Sequence, residues 1–134
     1  MVGMILASLL FAKEDPGNVG SQFMDALARH DVDKLTALSW TGKSDPAAVE
    51  AEKKRLHEQW DFSVNVAGKH MPFVWRITST TPADENHASV TVQFNKISSG
   101  GYEEKYDLPL EKEGGKWTVN VSGISRTMFP ALPN

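Results

Sequence analysis

Hydrophobic positions change their period once along the chain, and the change divides it into a helical half and a strand half. Val19, Phe23, Ala26, Leu27 and His30 fall on one face of an amphipathic helix. Gly17 and Gly20 disfavour helix earlier, so this first helix is expected to begin near Val19. Asp31 has the short acceptor side chain of an N-cap and predicts a second, short helix carrying Val32, Leu35 and Leu38. Trp40-Thr41-Gly42-Lys43 ends it. Asp45-Pro46 then supplies an N-cap acceptor and a pre-set φ at the first helical position, which predicts a third helix to about Gln59. Its apolar stripe of Val49, Leu56 and Trp60 is thin, and the stem of Lys53 can lie along it with the amine in water.

After Trp60 the period is two. Phe62, Val64 and Val66 alternate with Ser63 and Asn65; Phe73, Trp75 and Ile77 alternate with Val74, Arg76 and Thr78; Val90, Val92 and Phe94, then Trp117, Val119 and Val121, alternate with polar residues. Tyr106, Leu108 and Leu110 form a further strand, in which Pro109 lacks a ladder donor and predicts an edge or a bulge. The connections are hairpin-like: Pro82 to Asn86, Ser98 to Gly101, and Glu113 to Lys116, where Gly114-Gly115 suits a turn with φ > 0 at both central positions. Short connections imply antiparallel neighbours. The fold class is therefore α+β, with N-terminal helices packed on a curved antiparallel sheet of four to five strands.

Composition changes this picture little. The 134 residues suit one domain, and with 40% hydrophobic and 23% charged residues neither disorder nor a membrane bundle is indicated. A net charge of -3 with scattered Lys and Arg gives no phosphate-collecting stripe, so nucleic acid is not an expected partner. Cysteine is absent, which excludes disulfides, thiolate metal sites and cysteine nucleophiles from this sequence.

Charge placement matters more. Met1 to Ala12 contains no charged residue, too short a run to span a bilayer but matching the apolar region of a secretory signal. No basic residue precedes it, and Leu10-Phe11-Ala12 is a poor cleavage site. The expected organisation is a leader or anchor remnant at 1–12, a linker at 13–18 and one domain at 19–134. The expected location is extracytoplasmic, with membrane contact only through the N-terminal segment. The alternative is an apolar first helix packed on the domain's own sheet.

The stretch from Phe23 to Leu38, with its aromatic, the Ala26-Leu27 pair, a turn, Asp31 and spaced leucines, resembles the first two helices of the nuclear transport factor 2-like superfamily. The tail from Leu110 to Val119 is similar to the hairpin before that fold's last strand. The family's turn between these helices usually carries glycine; here His30 stands there, which implies a left-handed helix terminus rather than chemistry. The resemblance, nearest to uncharacterised exported bacterial members, implies a cone with a pocket at its open end. The superfamily includes isomerases, dehydratases, dimeric transport factors and secretion subunits, so it does not choose among functions.

An enzyme of this fold places an acid or base inside the cone with a group to hold an oxyanion. The candidates are Asp61, His70, Tyr106 and Asp107, of which only Tyr106 has inward parity. The histidines lack metal-ligand spacing, and no phosphate loop, dinucleotide fingerprint or nucleophile elbow occurs. No residue is therefore assigned as catalytic, and no cofactor or metal is expected. Trp40 and Trp60, at helix ends, with Tyr106 and His70, are the candidate pocket lining; Trp75 and Trp117 sit at inward strand positions. Lys53-Lys54-Arg55, flanked by Glu50 and Glu58, reads as a solvated helix face. The expected function is a non-catalytic binding or assembly domain. Its partner would be a small hydrophobic ligand, a protein or a second copy of the chain. The alternative is a lyase or isomerase using Tyr106 with Asp61 or His70.

Overall fold

A computed structural model describes residues 15–67, 73–96, 103–125 and 132–133. Met1–Ala12, His70 and the Ser98–Gly101 turn, for which the sequence made expectations, lie outside the described residues.

Helix α1 spans Pro16–Arg29. It starts three residues earlier than its glycines suggest, inside the expected linker. The Asp15 carboxylate accepts from Asn18 N–H at 3.2 Å, and Pro16 fits the first turn without losing a hydrogen bond. Gly20 is needed for packing: a Cβ there would lie 2.8 Å from Val90 Cγ1, so its absence lets the helix approach the sheet. At the other end His30 adopts φ 59° and ψ 40°, and Asp31 N–H reaches back to the Ala26 carbonyl at 2.9 Å. That is a left-handed helix terminus with histidine in glycine's usual place.

Helix α2, Val32–Leu38, is capped by the Asp31 carboxylate on Lys34 N–H, and helix α3, Pro46–Phe62, by Asp45 on Ala48 N–H. The strand expected at Phe62 to Val66 is instead the end of α3 and a π-helical turn, Ser63–Ala67. Leu56, Trp60 and Val64 are spaced by four, and all three are buried on one helical stripe. Phe62 and Val66, which alternation placed beside Val64, are each 59% exposed. The helical stripe wins because Trp60 and Val64 are the residues that reach the core. On α3 the ion pair that forms is Glu52 with Arg55, not Lys54 with its flanking glutamates.

Four antiparallel strands follow: β1 Phe73–Asp84, β2 His87–Lys96, β3 Glu103–Glu113 and β4 Lys116–Val119, in spatial order β1-β2-β3-β4. Among the described residues the architecture is thus α+β, three helices on an open four-stranded sheet. Gly114 and Gly115, with φ 61° and 81°, make the β3–β4 turn. Pro109 lies in β3, an interior strand, yet its carbonyl accepts from Asn120 N–H just beyond the last residue of β4. The missing donor therefore falls where the neighbouring strand has already ended, a local edge.

Val90, Val92, Phe94, Leu108, Leu110 and Val119 bury the inner face against Phe23, Met24 and Leu27 of α1 and Trp60 and Val64 of the α3 stripe. Phe23 meets Trp60 edge-to-face at 5.7 Å between ring centroids. Trp75 and Ile77, on edge strand β1, are only partly covered. Among the described residues, no helix is long and apolar enough to cross a membrane.

At the β1–β2 hairpin, His87 Nδ1 lies 2.9 Å from Asp84 and Nε2 lies 3.1 Å from Glu111, its cross-strand neighbour. With a carboxylate at each nitrogen, both ring nitrogens donate only in the imidazolium. The Asp84 contact, with a smaller contribution from Glu111, holds the imidazole above its ordinary value of 6.5. A group raised on folding stabilises fully below its unfolded pKa and loses that contribution as pH rises through the folded value. Asp84, held below its ordinary 3.8 chiefly by His87, has the opposite sign and loses its contribution as pH falls through its folded value. Urea unfolding against pH is expected to show a small loss of stability as pH rises from about 6.5 through the raised folded value, a loss that His87→Gln abolishes. An unchanged pH profile in that variant would show that the contact carries no stability.

Candidate binding sites

The connection from α2 to α3 is stitched to the sheet at one serine. Ser39, fully buried, forms a parallel bridge with Val119 at the β4 edge. Its hydroxyl donates to the Leu35 carbonyl at 2.7 Å and accepts from the Trp60 indole Nε1–H at 2.9 Å. Next along the chain, Trp40 N–H donates to the Val119 carbonyl at 2.8 Å. The Thr41 amide and hydroxyl then both donate to the carboxylate of Glu113, at the end of β3. Residues 39–41 thus cover the edge of β4, which protects its unpaired backbone groups.

This seam places two of the expected pocket residues. Trp60 is not at a rim: it is fully buried, and Ser39 satisfies its single donor, so it packs the core where the sequence suggested pocket lining. Trp40 is partly exposed and lines a cleft of about 220 Å³ with Leu56, the Glu52–Arg55 pair and Asn120. Gly42, at φ 73°, turns the chain beside the Trp40 ring.

Tyr106 lies elsewhere. Its ring is partly buried and meets Phe94 edge-to-face at 6.1 Å, and its hydroxyl donates to Glu104 Oε1 at 2.6 Å. Burial, then the hydrogen bond to Glu104, push the phenol up to about 12. Of the other sequence candidates, exposed Asp61 accepts from Asn65 and Asp107 accepts from Thr91 on the outer face, and His70 lies outside the described residues. Glu104 was missed, although it has the same inward parity as Tyr106 and Leu108; a charged residue at an inward strand position was the available signal. Among the described residues, no group of three His, Asp or Glu side chains could hold a metal ion.

A larger cleft, about 530 Å³, lies between the helices and the β3–β4 hairpin. Val19 of α1, Leu38 of α2 and Val49 of α3 form apolar wall, and Trp117 of β4 faces them. The ammonium of Lys112, the cross-strand partner of Trp117, lies over the indole ring, 5.1 Å from its centroid. Lys53, Lys116 and Glu113 are the ionisable residues lining this cleft. The Glu113 carboxylate is already engaged by Thr41, so the seam and the cleft share a wall.

No family model matches the chain, and no curated protein matches it in sequence. Among solved structures it is similar to a ketosteroid isomerase-like protein from Erwinia carotovora atroseptica SCRI1043, at 14% identity over 76% of this chain and 85% of the other, with a TM-score of 0.49. It is also similar to an NTF-2 like protein of unknown function from Shewanella oneidensis MR-1, at 15% identity over 77% and 89%, with a TM-score of 0.45. At these identities and TM-scores the likenesses assign no residue a role.

Ser39→Ala leaves the Trp60 indole donor buried without an acceptor and is expected to destabilise the fold by about 1–3 kcal/mol in urea unfolding. Adding Trp60→Phe removes the orphaned donor, so the double variant should lose less than the sum of the singles. Strict additivity would show that the two side chains are not coupled.

Proposed function

We propose that the domain is a non-catalytic binding module that takes a small hydrophobic ligand in the cleft between its helices and the β3–β4 hairpin. The observation that carries this reading is the cleft itself. Its volume, about 530 Å³, lies within the range of about 300–1,000 Å³ common for small-molecule sites. Apolar side chains from three helices and the Trp117 indole line it, and Glu113, engaged by Thr41, borders it. A wall tied down before binding lowers the entropy lost on ligand capture. Within the same proposal, Met1–Ala12 is an export or anchoring segment and the domain works outside the cytoplasm.

A second reading draws on Tyr106. With its phenol pushed up to about 12 the hydroxyl stays protonated, but its single O–H is donated to Glu104 at 2.6 Å. Serving an oxyanion would require it to turn from Glu104 to the substrate and leave that carboxylate to move a proton. In this reading Glu104, and not Asp61, is the carboxylate beside the tyrosine that a lyase or isomerase would use.

Decan-1-ol, a neutral apolar probe, separates the two readings when its binding is followed at the Trp117 indole resonance. Ala37 lines the cleft and is exposed, so Ala37→Phe fills the space without disturbing the core. The cleft reading expects that variant to weaken binding by about tenfold or more, a loss of about 1.4 kcal/mol, with Tyr106→Phe binding as the parent does. Binding lost in Tyr106→Phe and kept in Ala37→Phe would move the site to the tyrosine and overturn the proposal.

A further inference from the structure

The cleft is apolar in its walls and cationic at its border. Lys53 projects from α3 and Lys116 from the start of β4, and both line the same space. Among the described residues neither ammonium has a carboxylate partner. Lys34, Lys54 and Lys105 are likewise in no ion pair, so what sets Lys53 and Lys116 apart is that both line one apolar-walled cleft. Among the described residues the one acid lining the cleft, Glu113, presents both oxygens to Thr41, Oε1 to its amide and Oε2 to its hydroxyl. Its position is set by the seam and not by the lysines.

We propose that the ligand of this cleft is an amphipathic carboxylate, an aliphatic or aromatic body seated against Val19, Leu38, Val49 and Trp117 with its carboxylate between Lys53 and Lys116. This rests on the cleft being the binding site. The chemistry follows from the lining. Burial of an apolar body against aliphatic and indole surface supplies affinity roughly in proportion to area, at about 25 cal/mol per Å². That term cannot distinguish an acid from an alcohol of the same length. Two ammonium groups without carboxylate partners can distinguish them. They attract an anion and form charge-assisted hydrogen bonds with its oxygens, whereas a neutral head gains only ordinary ones. Lys53 is suited to this because its stem is partly buried along α3, which leaves its amine at the border of the cleft.

The acid series is selected over the alcohol series by charge alone, so the test compares decanoate with decan-1-ol on the full chain, followed at the Trp117 indole resonance. Decanoate is expected to bind about tenfold tighter, which corresponds to two partly exposed ion pairs of under about 1 kcal/mol each. In Lys53→Met with Lys116→Met, which keeps the apolar stems, decanoate should fall to the affinity of decan-1-ol, and decan-1-ol should bind as it does to the parent. Raising the salt concentration should weaken decanoate alone. Both lysines are at the surface, and thermal unfolding confirms that the double variant is folded.

Equal affinities in the parent, with Ala37→Phe blocking both probes, would overturn the anion assignment and leave the cleft as a neutral-ligand site. Probes that bind but are indifferent to Ala37→Phe, or no binding of either, would overturn the cleft reading itself and this proposal with it.

Discussion

The geometry of this protein turns on a single buried hydroxyl. Ser39 sits where α2 ends, where α3 passes overhead and where β4 presents its free edge, and it touches all three. A hydroxyl can donate once and accept twice. Here it donates to the helix it terminates and accepts from the indole of the helix that crosses it. A small polar residue is required because a larger one would part Trp60 from the sheet, and an apolar one would strand a buried indole donor. From that point the chain runs along β4 through Trp40 and is caught by Glu113 through Thr41. The β3–β4 hairpin is fastened to the helices in this way, and the cleft between them has fixed walls.

The local features were legible because their causes are local. Asp31 and Asp45 cap helices by reaching an amide three residues on, a relation visible in sequence, whereas the same relation at Asp15 was read as a linker. Gly114-Gly115 and His30 announced positive φ, and the strands announced themselves by parity. Errors arose where two periods coincide. Val64 satisfies both a period of two from Phe62 and a period of four from Trp60, and only the packing of Trp60 against Phe23 decides for the helix. The start of α1 was placed late because glycine was read as a breaker, whereas Gly20 is what allows the helix to rest on Val90.

The cleft was illegible for a different reason. Val19, Leu38, Val49 and Trp117 each read as ordinary core residues, and each belongs to a different element. Nothing in their local pattern says that the four surfaces stop short of one another; that is a property of how helices and hairpin are spaced, and the spacing is set by the seam. Lys53 and Lys116 are likewise distant in sequence, and as isolated lysines they look like solvated surface. Tyr106 was placed correctly by parity, but its partner Glu104 was passed over because a glutamate near a strand end is ordinarily taken as solvent-facing.

Native-state hydrogen exchange on the amide of Trp40 and the indole of Trp60 measures the seam directly. If it is an integral part of the fold, both protons exchange only through global unfolding, with the same free energy as core amides of β2 such as Val92. Exchange of the Trp40 amide far faster than that of Val92, at a free energy well below global unfolding, would mean that residues 39–41 detach from β4 on their own. The cleft would then have no fixed wall, contradicting the account of a preformed binding site.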